Sequence, residues 1–241
     1  MARHQEENIA NRILLALPQD SLQRLKPHLE RVDLPQRRVV HDASTSVEHL
    51  YFVNQGLISL IKTMKDGRTV EVAAIGTEGV TGVFALYGIQ PPIWDAIVQI
   101  PGEALRVELG RLQAEMKRSD IFRRIMQRYI HAVVCEIAQT AACNRLHSLE
   151  ERCCRWLLLA QERAQSDTFP VTHEFLALML GVQRAGLSIT AGILQKAGFI
   201  QYSRGRIVIL DRSGLEATTC ECYLAITAQL KRVFDQRPRR R

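Results

Sequence analysis

The chain has 241 residues, 46% of them hydrophobic, and a formal net charge of +7 at pH 7, which fits a soluble globular protein of two ordinary domains. No stretch approaches the roughly 18 uninterrupted apolar residues of a membrane span, and the amino terminus MARHQEENIANRILLALPQD is polar ahead of its first apolar cluster, so a cytoplasmic protein without membrane contact is expected. Residues 150–241 hold 14 Lys/Arg against 9 Asp/Glu; such an excess attracts polyanions or forms a solvated basic face ending in a disordered RPRRR tail, and charge alone does not choose.

Residues 6 to 30 read as helical, with Asp20 as an N-cap. From about 32 to 109 the pattern turns to short apolar or alternating runs, VDLPQRRVV, HLYFVNQGLISLIK, TVEVAAIG, WDAIVQI and ALRVEL, punctuated by Gly56, KDGR, GTEGVTG and QPP. Many short strands at this spacing predict an antiparallel roll or barrel. After Gly110 the pattern is helical. SDIFRRIMQRYIHAVVCEIAQTAACNRL has no proline or glycine, starts at a Ser/Asp cap and places Phe122, Met126, Tyr129, Val133 and Ile137 on one apolar stripe. Ile121, Ile125, Ile130, Val134, Ala138 and Ala141 make a second. One stripe docks the helix on the roll; the other needs cover, from a second copy of the chain or from elsewhere in the same chain. The stripe from Phe122 to Ile137 is taken as the dimer interface.

Ser148 begins a further helix, LEERCCRWLLLAQERAQ, and the turn near 145–148 marks a domain boundary. The expected organisation is a roll with flanking helices over 1–118, a dimerisation helix over 119–146 and a second domain over 147–241. Within the last, VTHEFLALMLGVQRAGLSITAGILQKAGFI (171–200) has helix-turn-helix spacing: Thr172 as N-cap, Gly181 as left-handed turn residue, and Leu176, Leu180, Val182, Leu187, Ala191 and Leu194 inward. That leaves Gln183, Arg184, Ala185, Ser188 and Ile189 on the outward face of the second helix, where base edges would be met. FIQYSRGRIVILD follows as a β-hairpin wing, with Arg204 and Arg206 near a tip that would meet phosphates. The fold class is α+β: an N-terminal antiparallel roll, a long helix and a C-terminal winged helix-turn-helix.

Six cysteines, Cys135, Cys143, Cys153, Cys154, Cys220 and Cys222, show neither C-x-x-C nor the paired spacing of a zinc site and read as structural thiols. For Cys153-Cys154 or Cys220-x-Cys222 to sense oxidants or bind a metal, depressed thiol pKa values or two further ligands nearby are required. No G-x-S-x-G elbow, P-loop, H-E-x-x-H or dinucleotide fingerprint is present, and Glu78, Asp95 and Glu103 lack a clustered base or nucleophile, so an enzyme is not expected.

The order of roll, long helix and winged helix resembles the Crp/Fnr family of bacterial transcription regulators. The likeness covers nearly the whole chain and is carried by LYFVNQGLISL and GTEGVTGV in the roll, by LEERCCRWLL, and by the helix pair with RGRIVILDRSGLE. It implies a homodimer, a cyclic-nucleotide-binding-like roll that senses a signal or is the relic of one, and sequence-specific binding of double-stranded DNA with RNA polymerase as partner. In the family's cyclic-nucleotide binders a Gly-Glu pair takes the ribose hydroxyl and an Arg-Ser pair neutralises the cyclic phosphate. The matching positions here are Gly82-Val83 and Trp94-Asp95, which lose the guanidinium and add a repelling carboxylate, so cyclic AMP is not the expected effector. The iron-sulfur branch uses cysteines near the amino terminus and none precedes Cys135; a haem ligand among His28, His41, His49 or His131 would rest on a lone histidine. No metal or cofactor is therefore expected, and the effector is left unnamed. The family's recognition helix often carries Arg-Glu and, four positions on, Arg; here these are Arg184, Ala185 and Ile189. Arg184 keeps the two-pronged geometry for guanine, whereas Ala185 and Ile189 offer apolar contact to a thymine methyl, or for Ile189 packing within its own domain. An effector-binding protein that acts through protein contacts instead of DNA is the alternative reading.

Overall fold

The computed structural model describes residues 9–235; positions 6–8 of the expected N-terminal helix and the RPRRR tail lie outside them. The first segment is two short helices, α1 (Arg12–Leu15) and α2 (Gln19–Leu25). Asn11 caps α1 through Ile13 N and Leu14 N, and its amide donates to the carbonyls of Val53 (2.9 Å) and Gly79 (2.8 Å), stitching the helix to the sheet beneath. Asp20 is not the N-cap of α2. Pro18 holds that place, its fixed φ starting the helix earlier, and Asp20 sits in the first turn, 3.1 Å from Arg24.

Strands β1 (Glu30–Leu34), β2 (Val39–His41), β3 (His49–Thr63), β4 (Thr69–Ile75) and β5 (Asp95–Glu108) form one antiparallel sheet in the order β1-β5-β3-β4, with β2 also on β5. The runs WDAIVQI and ALRVEL are a single strand, β5, because Gly102 lets it pass close to β3: a Cβ there would stand 2.1 Å from the carbonyl oxygen of Gln55. Register shifts in β3 at Val53/Gln55 and Gln55/Leu57 lie opposite this point and bend both long strands into a roll.

Helix α3 (Leu109–Arg118) leads to Ser119, whose hydroxyl accepts from Phe122 N at 3.2 Å and starts α4 (Asp120–Leu146), as the cap signal predicts. The expected dimer stripe needs correction. Phe122, Met126, Tyr129 and Val133 are buried in the chain's own roll and Ile137 is half-buried, so they do not face a second copy. Tyr129 accepts from Val80 N at 3.1 Å. The bulkier of the two stripes fills the floor of the roll, a choice that helical period alone does not make. Exposed on α4 is another line, Gln127, His131, Val134, Ala138, Ala141 and Arg145, spaced alternately four and three.

Helix α5 (Leu149–Ala164) starts at Ser148 with a complete capping box to Glu151, followed by β6 (Thr168–Pro170), α6 (His173–Leu180), α7 (Arg184–Lys196), β7 (Ile200–Ser203) and β8 (Arg206–Ile209), the strands pairing in the order β6-β8-β7. Beyond the wing, the last elements among the described residues are α8 (Arg212–Thr218) and α9 (Cys222–Phe234). Helix α9 runs back along α4, places Val233 in the core of the roll and ends with the Phe234 ring 4.3 Å beneath the Arg12 guanidinium. Among the described residues no single helix is long and apolar enough to cross a membrane.

The roll, α4 and α5 meet at one buried cation. Arg163 binds Glu136 through Nη1 (2.9 Å) and Nη2 (2.6 Å), and its Nε lies 3.2 Å from Glu78, out of line for a hydrogen bond. Burial pushes the Glu78 carboxyl up, against the pull of Arg163. Burial alone would likewise weaken the charge on Arg163, but Glu136 and Glu78 hold its pKa above the ordinary value. Such a triad is a strong positional constraint, since removing one member strands charges in a low-dielectric interior.

Candidate nucleic-acid interface and sensor cavity

Thr172 caps α6 by accepting from Phe175 N at 3.2 Å, and Gly181, at φ +64°, turns the chain in the left-handed region before α7 begins. The two helices cross at 107°, within the range of a helix-turn-helix. Leu176, Leu180, Leu187, Ala191 and Leu194 are buried and Val182 is half-buried between the helices and α5. Gln183, Arg184, Ala185, Ser188 and Ile189 all point to solvent, Ile189 with 67% of its surface exposed. An isoleucine this open does not pack within its own domain.

The wing is a two-residue hairpin. Arg204 (φ +49°) and Gly205 (φ +74°) are both left-handed between the paired Ser203 and Arg206, as the strand twist of such a turn demands. The carbonyl of Gly205 accepts from Val171 N at 2.9 Å, which docks the tip beside Thr172 at the start of α6. Arg204 and Arg206 are exposed there.

His173 is a residue that spacing does not reveal. Its Nδ1 lies 3.1 Å from Ser188 Oγ on the outward face of α7, and its ring stacks on Tyr202 of the wing at 3.9 Å. Burial, and next the charge of Arg184, holds its pKa below the ordinary histidine value. A neutral imidazole therefore joins α6, α7 and the wing and fixes the rotamer of Ser188. The only sequence signal is its place just after the cap, and that does not specify a partner 15 residues away.

In the roll, Gly82, Val83 and Trp94 line a cavity of about 270 Å³ whose wall is continued by Leu60, Phe84 and, from α4, Val133. The indole of Trp94 stands edge-on to Phe84 at 5.3 Å. None of the lining residues carries a cationic side chain. Asp95 is not among them: its carboxylate accepts from Ala43 N at 2.8 Å. The cavity thus provides apolar surface where a cyclic phosphate would need a positive charge.

The sequence matches two families, the cyclic nucleotide-binding domain over residues 31–119 and the Crp-like helix-turn-helix domain over residues 151–218. The chain belongs to the Crp/Fnr family. Solved structures share the fold. A putative transcriptional regulator of this family from Eubacterium rectale is 16% identical with a TM-score of 0.66, covering 87% of this chain and 98% of that one. FixK2 from Bradyrhizobium japonicum is 16% identical with a TM-score of 0.66, over 80% of this chain and 98% of its own. CLP, a global regulator from Xanthomonas campestris described as responsive to c-di-GMP, is 18% identical with a TM-score of 0.63, over 80% of this chain and 99% of its own. Comparison with curated protein sequences finds no match. As a Crp/Fnr member the chain is a transcription regulator with a helix-turn-helix DNA-binding domain.

Proposed function

We propose that the protein acts as a homodimer that reads an inverted-repeat DNA site, inserting one α7 into each of two major grooves, and that cyclic AMP does not gate it. The observation that carries this reading is the exposed row from Gln183 to Ile189, headed by Arg184 and flanked by the wing arginines. Arg184 reads guanine as a bidentate donor; Ala185 and Ile189 contact thymine methyls; Gln183 and Ser188 contribute polar contacts; Thr172, Arg204 and Arg206 lie against phosphates. Two copies place their reading helices about 34 Å apart, which requires half-sites one helical turn apart. The alternating four-and-three line from Gln127 to Arg145 on α4 has the 3.5-residue period of a coiled-coil seam, and Ala138 and Ala141 allow close approach of the second copy. From the bound site the dimer regulates RNA polymerase.

Fluorescence anisotropy with specific and unrelated duplexes at two salt concentrations tests the reading. Arg184→Ala should lose about 1–3 kcal/mol on the specific site, roughly 5- to 150-fold, and leave unrelated DNA unaffected. Equal losses on both duplexes contradict base reading by Arg184, and absence of any specific complex favours a regulator that works through protein contacts. Calorimetric titration with cyclic AMP should give no saturable heat.

A further inference from the structure

Four potential metal ligands converge where the long helix ends. Cys143 lies in the last turn of α4 and His147 is its C-cap, while Cys220 and Cys222 flank Glu221 in the bend between α8 and α9. One ligand atom from each lies within 4.8 Å of all the others. Cys143 Sγ and Cys220 Sγ are 3.6 Å apart, and Cys222 Sγ is 3.5 Å from His147 Nδ1. A tetrahedral ion with metal–sulfur bonds of about 2.3 Å and metal–nitrogen bonds of about 2.0 Å has S···S edges of about 3.8 Å and S···N edges of about 3.5 Å. The spacing is that of a single ion. It is too tight for cysteines that must reach different irons of a cluster.

Packed thiols alone would behave as small apolar residues, and the surroundings of this cluster are not those of an apolar pocket. The imidazole presents Nδ1 to the sulfurs and holds its Nε2 at 3.3 Å from the Glu221 carboxylate, the outer partner that orients a metal-bound histidine. Gln139 Nε2 donates to Cys222 Sγ at 3.0 Å, the kind of N–H···S bond that supports a thiolate. Arg152 and Arg155 on α5 are buried, and neither forms an ion pair with a carboxylate among the described residues. Arg152 donates to the Leu180 carbonyl, Arg155 reaches Thr140 Oγ1 at 3.4 Å, and the Nε of each has no partner. Burial pushes the Cys143 and Cys220 thiols up; the Arg155 guanidinium pulls the other way at Cys143, and Arg152 interacts with both sulfurs. Three thiolates and a neutral imidazole around a divalent cation carry one net negative charge, which gives Arg152 a counter-charge that protonated thiols do not and adds to the pull that Glu71 already exerts on Arg155.

We propose that Cys143, His147, Cys220 and Cys222 form a Cys3His site for one tetrahedrally coordinated, zinc-class divalent ion. Because Ser148, the next residue after His147, caps α5, the ion ties the joint between α4 and α5 to the start of α9. It thereby fixes the direction in which the DNA-binding domain leaves the long helix. The site stands independently of the DNA-binding reading, and its test reads metal, not DNA.

The experiment uses the full chain, reduced and stripped of metal. Zinc is added at one equivalent and retention after gel filtration is measured by mass spectrometry of the metal; in parallel, cobalt(II) is added and its visible spectrum recorded. One zinc per chain and the intense ligand-field bands of tetrahedral cobalt, with sulfur-to-cobalt charge transfer, are expected. Cys220→Ser and Cys222→Ser should each cut affinity at least tenfold, whereas Cys135→Ser, which changes a thiol on α4 outside the cluster, should retain both signals. Circular dichroism reports whether each variant is folded, and the unmodified chain's cobalt spectrum decides the matter if one is not. Trace retention of zinc, an octahedral cobalt spectrum, or equal loss in Cys135→Ser would overturn the proposal. So would a chain whose Cys143 and Cys220 form a disulfide on oxidation but which takes up no ion when reduced.

Discussion

The helix pair α6–α7 and the long helix α4 are equally plain as helices in the sequence, yet their faces are not equally legible. In α6–α7 the inward residues are matched by a partner a few positions away, so spacing within one stretch of 30 residues separates Leu187 and Leu194 from Arg184 and Ile189. In α4 each buried face is covered by an element remote in the chain: Tyr129 meets Val80, Glu136 meets Arg163, and Gln139 meets Cys222. Periodicity tells that a face is apolar; it does not tell which remote element lies on it. Surfaces of local motifs can therefore be read from spacing, whereas interfaces of a helix shared between domains require the topology.

The largest effect should come from breaking the buried ion pair among those contacts. Arg163→Met leaves the Glu78 and Glu136 carboxylates buried without their cation, and a loss of about 3–5 kcal/mol is expected. Urea unfolding measures it. Adding Glu136→Gln to that variant should recover part of the loss, because one of the stranded charges is removed. A loss below about 1 kcal/mol would mean that α4 and α5 are held together by apolar packing alone.

The roll can be probed through pH. Burial, reinforced by the charge of His49, holds His41 down at about 4, while the unfolded chain titrates near the ordinary 6.5. Below pH 6.5 the unfolded state takes up a proton that the folded state refuses, so this residue costs stability progressively as pH falls toward 4. The cost reaches on the order of 3 kcal/mol. His41→Gln should flatten that part of the stability profile relative to the parent; two profiles of the same slope would place the acid sensitivity in other groups.

The seam on α4 offers an intermediate effect. Ala138→Glu sets two like charges against each other across the proposed interface and should weaken dimerisation at least tenfold, about 1.4 kcal/mol, by sedimentation velocity. Ile121→Glu, on an exposed position outside the four-and-three line, should not. If Ile121→Glu dissociates the dimer and Ala138→Glu does not, the seam lies on the other face.

Much of the fold was legible in the residues themselves. The caps at Ser119, Ser148 and Thr172, the left-handed turn at Gly181 and the wing strands are local statements, and each stands where its signal lies. Helix α2 starts ahead of the position that Asp20 predicts, because Pro18 and Asp20 both carry initiation signals and the proline comes first. Helices α8 and α9 escaped reading although Leu215, Tyr223, Ile226 and Val233 are buried. The four ligands at the end of α4 escaped because Cys143 and Cys220 are 77 positions apart, and only the return of α9 along α4 brings them together. His173 escaped for the same reason on a smaller scale.

The smallest predicted effect separates two roles within the best-read region. Arg204 occupies the left-handed region at the wing tip, where a side chain is strained and glycine is not. Its guanidinium is exposed beside the proposed DNA surface. Arg204→Gly should therefore stabilise the fold by up to about 1 kcal/mol, while weakening specific and unrelated DNA alike and lowering the salt dependence of binding by about one phosphate contact. Thermal unfolding and anisotropy at several salt concentrations read the two outcomes separately. Opposite signs would mean that the strain at this turn is retained for the phosphate that Arg204 meets. A stabilised variant with an unchanged salt slope would show that the wing tip stands clear of the DNA, and would leave Arg206 as the phosphate contact of the hairpin.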